Sequence, residues 1–554
     1  MSLIKGGLST GFKQHWKMPD IGFAGWLLLW LTFNIVTLTT FPRVHSDEAW
    51  LAGLSHAVGV NRSLMVTEPF FDLFPRQPHA FKMLFHALQA VSIRLLGNSV
   101  QTVRLLALAG ATVTLILMYR SWRRLSRGGW LAVVLVVAFS CQPVFLNAAH
   151  LARQESLLLA VLAGVGLLLD RLSADTTHRQ AIRLFWLSVC IGLSALIHPN
   201  ALMIAAMIGL PLLVDGLTGR LAWRQLVRPA GILISIGLAL VGLSMAVSPD
   251  FLSHYADFGA NLAVNAAPAQ RWQHIQQFFG QLWRQDTGTY DMPDLRGFLS
   301  AFAFLPVLSA GLLTLADSAL TESERRGLEQ GLAAGLGFLL SLFVIGRFNP
   351  TSIVFALWPV FQLLAWQLAF VSRHIQFKGF RSVLALVLLL AHLVSVRGDL
   401  ALKVEPLLRP SATDSYTQYT LELLSNLPAD AIVLGNLSAG FGLTGAGVPF
   451  YDIRNLAYAE DPTDYLRQNE ITVVIWYEEY DYILRNPDWW VLYEIRPGRT
   501  SDPTALARLK AILDGQGVLI HTFSSPDYGT RVTAFQGDYP WQVSLIGIDP
   551  ADLS

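Results

Sequence analysis

Charged side chains are scarce in this sequence. Asp, Glu, Lys and Arg make up 14% of its 554 residues, against roughly 25% in a typical soluble domain. Hydrophobic residues make up 53%, and the mean hydropathy is +0.45. One soluble core of this length cannot absorb that much apolar surface, so the bilayer must take part of it. Neither sign of charge dominates, and a net charge of +1 gives nucleic acid no field to follow. Cysteine is nearly missing: Cys141 and Cys190 both lie in apolar runs. They make neither a disulfide framework nor a metal cluster and read as small buried hydrophobes. No Gly-rich phosphate loop, internal repeat or low-complexity tract is present, so no nucleotide cofactor is expected.

What the sequence has instead is a series of apolar runs. A spanning helix needs about 20 mostly apolar residues at ~1.5 Å rise each. Candidate spans lie near 21–41, 101–119, 130–148, 155–170, 184–197, 200–216, 229–248, 297–316, 331–346, 352–371 and 381–396, about eleven in all. The first is too long for a signal-peptide core and no small-residue cleavage site follows it, so it reads as a retained span. Alternate connections are short and basic: Arg120, Arg123, Arg124 and Arg127; Arg171, Arg179 and Arg183; Arg220, Arg224 and Arg228; Arg325 and Arg326; Arg373, Lys378 and Arg381. The positive-inside rule puts these in the cytoplasm, with the tail that carries Lys5, Lys13 and Lys17. The expected location is therefore the cytoplasmic (inner) membrane, crossed many times.

The opposite face receives the long connections 42–100 and 249–296, short turns near 149–154, 197–200 and 347–351, and everything after Arg397. Within 42–100, the stretches Asp47 to Val58 and Ala80 to Leu96 repeat apolar residues at helical spacing, as expected of helices lying flat at the interface. The chain divides into a membrane domain, 1–397, and an extracytoplasmic α/β domain, 398–554. In the latter, helices at 417–426, 462–469 and 503–514 alternate with strands at Ala431 to Gly435, Ile471 to Tyr477 and Val518 to Phe523. The run Trp476 to Tyr482 and the pair Trp489 and Trp490 fit either sugar stacking or a membrane or protein contact.

Four polar groups collect on the outer side, and ionisable residues beside spans mark function first. Ser46, Asp47 and Glu48 read as a helix start with Ser46 as N-cap; the first-turn carboxylates are either dipole-favoured decoration or a base and metal ligand. Arg153 and Glu155 are either an interfacial ion pair or a phosphate counter-charge and a second carboxylate. His198, followed by Pro199 and Asn200, is either a structural turn residue or a donor to a phosphate oxygen. Arg347, near Asn349, is either a boundary marker or a bidentate phosphate ligand.

In order along the chain, these residues resemble a family. Val44-His45-Ser46-Asp47-Glu48-Ala49 is similar to the acidic pair after the first span of GT-C fold glycosyltransferases, in the branch of protein O-mannosyltransferases and lipid A aminoarabinose transferases. Leu95 to Ser99 with Val103 to Leu106, Ala152-Arg153-Gln154-Glu155, His198-Pro199-Asn200, and Arg347-Phe348 with Trp358-Pro359 resemble further elements of that branch. The likeness covers about residues 20–375. It departs at Glu155, where many members have Asp, at Gln154, and at Arg76 to Phe81, which replaces a proline-proline-tyrosine signature.

The resemblance implies a membrane enzyme that moves a sugar from a polyprenyl-phosphate donor, with inversion, to a lipid, glycan or protein acceptor at the outer face. Asp47 would be the catalytic base, assisted by Glu48 and Glu155; Asp47 and Glu155 are the candidate ligands for a divalent cation. Arg153, His198 and Arg347 would face the donor phosphate. Two other classes compete. A transporter or flippase of lipid-linked sugars should carry mid-span charges and paired repeats, which are lacking here. A non-catalytic membrane scaffold needs no intact Asp47 and Glu155.

Overall fold

The computed structural model describes residues 17–67, 70–73, 77–125, 129–172, 176–261, 267–284, 290, 292–297, 299, 304–315, 320–345, 349–374, 396–408, 415–486, 504–531, 539 and 541–553. Apolar helices dominate up to His374: α1 (Met18–Val36), α2 (Ser46–Asn61), α3 (Met83–Leu96), α4 (Val100–Leu125), α5 (Trp130–Ser140), α6 (Pro143–His150), α7 (Glu155–Leu169), α8 (Thr177–Ser194), α9 (Ala201–Leu217), α10 (Trp223–Val247), α11 (Phe251–Asn261), α12 (Pro268–Arg284), α13 (Leu305–Leu315), α14 (Glu322–Ile345) and α15 (Leu357–His374).

Among the described residues, five helices are long and apolar enough to cross a bilayer: α1, α4, α10, α14 and Pro350–His374, the last made of a 3-10 turn and α15. The expected span at 130–148 is a bent pair, α5 and α6, with 67° between them; counted as one span it makes six. Pro143 explains the break, because it lacks an N–H and suits a first helical turn. Helices α7, α9 and α13, at 15, 17 and 11 residues, are apolar but short. The expected span 381–396 lies outside the described residues except for its last residue.

Small residues bring the helices close. A Cβ on Gly110 of α4 would meet the backbone of Ser156 and Leu157 at 3.0 Å, so α4 lies directly against the start of α7. At one end of the bundle, ion pairs join helix ends: Arg123 to Asp20 (2.5 Å), Arg326 to Asp215 (2.7 Å), Arg220 to Glu322 (2.8 Å) and Arg373 to Glu324 (2.7 Å). These are members of the basic connections, gathered on one side.

The C-terminal α/β domain is built on a five-stranded sheet of order β2-β1-β3-β5-β4. Its strands are β1 (Val433–Gly435), β2 (Phe450–Asp452), β3 (Val473–Tyr477), β4 (Val518–Ser524) and β5 (Gln542–Gly547). The first three pair in parallel and β5 runs antiparallel to β3 and β4. The sequence marks β1, β3 and β4. It misses β2, which is three residues long, and β5, whose register is fixed only by its neighbours. Trp476, Tyr477 and Tyr480 are buried in this domain's core, which decides the open choice against an exposed stacking platform for those three rings. Trp489 and Trp490 lie outside the described residues.

The α/β domain sits on the connection 42–100. One hydrophobic cluster joins Val44, Ala49, Ala52, Phe70, Phe71 and Ala152 to Leu434, Leu437, Phe441 and Phe450. Gly53 makes room for the Phe70 ring, whose edge occupies the place of a Cβ at 2.3–2.5 Å. The Phe70 carbonyl accepts from Asn455 Nδ2 (2.9 Å), and Tyr465 donates to Asp72 (2.9 Å). Helices α2 and α3 are therefore held between bundle and sheet rather than lying free at the interface, and Ser55 ties them together by donating to Gln89 Oε1 (2.6 Å).

Candidate active site

The site grows from the start of α2. The N-cap is His45, one residue before the expected Ser46. The His45 Nδ1 accepts the Asp47 N–H (3.0 Å), and Glu48 accepts the His45 N–H (3.0 Å). Both ends of this capping box satisfy helix-start donors, which is why the cap shifts. Burial lowers the His45 pKa to about 4 against the pull of the Asp47 charge. The ring is therefore neutral near pH 7, with its proton on Nε2.

Asp47 and Glu48 then part company. Glu48 is buried and saturated. Arg104, fully buried on α4, donates to it from Nε (2.9 Å) and Nη2 (2.8 Å), and the Ala152 N–H adds a bond of 2.7 Å. Arg104 also reaches the Leu38 carbonyl (2.8 Å). Asp47 instead points to a cluster and keeps a quarter of its side chain exposed. Its Oδ2 accepts from Arg153 Nη1 and from the Tyr290 hydroxyl.

Arg153 lies in the turn between α6 and α7, and Glu155 opens α7. The guanidinium donates to Glu155 from Nη2 (3.0 Å) and Nε (3.2 Å), so it bridges the two carboxylates. It also donates to the Tyr290 hydroxyl (2.9 Å), which Asn349 Nδ2 contacts as well. The Thr351 hydroxyl donates to Glu155 (2.8 Å), and the His45 ring stacks on Tyr290 with centroids 4.1 Å apart. Burial alone would raise the Asp47 carboxyl, but Arg153, His45, the Tyr290 hydrogen bond and Arg531 together hold it well below the usual carboxylate range. Burial pushes the Tyr290 hydroxyl up, so it stays a neutral donor.

Of the expected residues, Asp47, Arg153 and Glu155 thus meet in one cluster, with Asn349 from the last polar turn. Glu48 stands behind it on Arg104. His198 lies in the turn between α8 and α9. Its Nδ1 accepts the Asn200 N–H (3.1 Å), in a turn whose Leu196 carbonyl accepts from Leu84 at the start of α3 (2.9 Å). Arg347 lies outside the described residues. Sequence reasoning missed Tyr290, in a connection without periodicity, and Thr351. It also missed the role of Arg104, whose only signal was an arginine inside an apolar helix.

Among the described residues, no group of three His, Cys, Asp or Glu side chains is placed to hold a metal ion. Asp47 and Glu155 both pair with one guanidinium, that of Arg153.

No protein-family model matches the chain, and no curated protein matches it in sequence. Solved structures do match. The ArnT from Cupriavidus metallidurans bound to undecaprenyl phosphate superposes with a TM-score of 0.52 at 14% identity, over 95% of this chain and 97% of that one. The Archaeoglobus fulgidus oligosaccharyltransferase in its apo form gives 0.53 at 13% identity, over 93% and 80%. The archaeal oligosaccharyltransferase AglB from the same organism, in complex with an inhibitory peptide and a dolichol-phosphate, gives 0.51 at 13%, over 93% and 75%. The fold is therefore GT-C-like: a polytopic α-helical membrane bundle with a separate C-terminal α/β domain.

Proposed function

We propose that this chain is a membrane glycosyltransferase that moves a sugar from a polyprenyl-phosphate donor to an acceptor hydroxyl or amine at the outer face of the cytoplasmic membrane. The observation that carries the reading is the Asp47–Arg153–Glu155 cluster, placed where the bundle meets the α/β domain in a fold shared with structures bound to undecaprenyl phosphate or dolichol-phosphate. Within that fold, the order of motifs favours the branch of O-mannosyl and aminoarabinose transferases.

The acceptor oxygen or nitrogen attacks the anomeric carbon, the bond from that carbon to the phosphate oxygen breaks, and the sugar is delivered with inversion. The lipid phosphate leaves with the bonding electrons, and Asp47 takes the acceptor proton. Arg153 has a planar fork suited to a phosphate. Its guanidinium donates to Asp47 and Glu155. A donor phosphate competes for the same guanidinium, and as Arg153 turns toward it, Asp47 loses its strongest opposing charge and becomes a better base. Donor binding thereby activates the base. Glu155 keeps Arg153 within reach of both partners, and Glu48 fixes the segment that bears Asp47. His198 and Arg347 are proposed as further phosphate contacts from the neighbouring turns.

The positive charge in this mechanism is Arg153. Two carboxylates with a guanidinium between them are a poor donor set for a divalent cation, which would have to displace Arg153 first.

The test is turnover by the purified protein with polyprenyl-phosphate sugars, read as release of the lipid phosphate. Asp47→Asn should lower the rate by about 10²–10⁴. Unchanged release in that variant would remove Asp47 as the base, and no release by the wild-type protein with any such donor would remove the enzyme reading.

A further inference from the structure

We infer that the C-terminal domain completes the reaction centre: its loop 525–531 clamps the segment that bears Asp47, and Arg531 is a positioning residue for that carboxylate. The role of Asp47 rests on the function proposed above; the clamp itself does not.

Three contacts from this one loop fall on residues at the start of α2. Asp527 pairs with Arg43 (2.9 Å). The Tyr528 hydroxyl accepts the Val44 N–H (3.0 Å). Arg531 Nη2 donates to the Ser46 hydroxyl (3.0 Å). Residues 43, 44 and 46 are thus held by a domain some 480 residues later in the chain.

The loop is itself braced. Glu479, buried at the end of β3, accepts the Arg531 N–H with both oxygens (3.1 and 3.0 Å) and the Thr530 hydroxyl (2.6 Å). The Tyr528 ring stacks on Tyr419, with centroids 5.2 Å apart. Glu479, Tyr528, Thr530 and Arg531 are all buried, so the loop is a fixed part of the core.

The charges around Asp47 come from every side. Arg153 and Glu155 come from the turn before α7, His45 and Glu48 from its own helix start, Tyr290 from the long connection, and Arg531 from the α/β domain. Arg153 is the cation that an incoming phosphate would draw from the two carboxylates. Arg531 has its backbone N–H held by Glu479 and its guanidinium on the Ser46 hydroxyl. When Arg153 leaves, Arg531 remains to keep Asp47 ionised and aimed.

The experiment uses the full chain in lipid nanodiscs. Hydrogen exchange of the amides of 43–48 needs no turnover. Arg531→Met and Tyr528→Phe should each speed it by about five- to tenfold, the loss of one hydrogen bond, with exchange in β1 and β3 unchanged as the control for folding. In turnover, Arg531→Met should lower kcat by about tenfold at constant donor KM, and Arg531→Lys should recover most of it. Unchanged exchange at 43–48 in both variants overturns the clamp, whether or not turnover is found. Faster exchange with unchanged kcat in Arg531→Met overturns the role assigned to Arg531. A wild-type protein without turnover fails the proposed function instead, and the exchange result still decides the clamp.

Discussion

The guanidinium of Arg104 grips the carboxylate of Glu48 side-on, Nε to Oε1 at 2.9 Å and Nη2 to Oε2 at 2.8 Å, with both side chains buried. Neighbouring carboxylates of one helix turn therefore have different work. Glu48 ties α2 to α4 and to the backbone of Ala152, while Asp47 faces the cluster with Arg153.

Removing either partner of the first pair leaves a buried charge alone, which costs about 3–5 kcal/mol. Arg104→Met should lower the thermal midpoint sharply. Arg104→Met combined with Glu48→Gln should recover part of the loss. Asp47→Asn should lose turnover with a midpoint close to wild type. Thermal unfolding in detergent, beside the release assay, separates the two carboxylates.

The pH dependence follows from the depressed pKa of Asp47. A carboxyl held below its unfolded value contributes stability that is present above the unfolded pKa and lost as pH falls through the folded one. Asp47 should therefore stay ionised, and turnover should show no acid limb from it, between about pH 5 and 8. Tyr290→Phe removes a donor to Asp47 and should bring its acid limb upward toward that window. A rate profile of both proteins decides this.

Chelation tests the charge between the carboxylates. With Arg153 in that place, excess EDTA should leave lipid-phosphate release unchanged, while Arg153→Lys should lower it by about 10²-fold through loss of the planar fork. Activity lost in EDTA and restored by a divalent cation would move the positive charge from Arg153 to a metal.

Lys403 lies on the helix Arg397–Leu408 and is fully buried, donating to Asn34 Oδ1 (2.7 Å) and His150 Nε2 (3.1 Å). Burial holds its pKa well below the usual value. Below the unfolded pKa the unfolded chain binds the extra proton, so stability rises with pH up to about 10.4. Relative to Lys403→Met, the wild-type protein should gain stability as pH is raised from 7 toward 10. Midpoints of both proteins across that range measure it.

The membrane character was readable in sequence because apolar length is a local property. So were three of five strands and the acidic pair after the first span. The number of spans read as about eleven was not fixed by that pattern. Helices such as α7 and α9 are apolar yet short, and Pro143 bends one run in two. Tyr290, Thr351 and Arg531 carry no local signal; each gains its meaning from a partner far along the chain.

The sequence by itself determined that this protein lives in a bilayer, and that carboxylates and arginines gather beside its spans, because exposing so much apolar surface to water is unfavourable and charges are costly within a span. Only the tertiary structure decided which carboxylate is locked and which is available. Arg104 and Arg153 are the same residue type beside similar acids. Glu48 meets a buried fork with no other exit, whereas Asp47 meets Arg153 in a cluster that keeps it partly exposed. That difference depends on which helices pack together, and no stretch of sequence holds it alone.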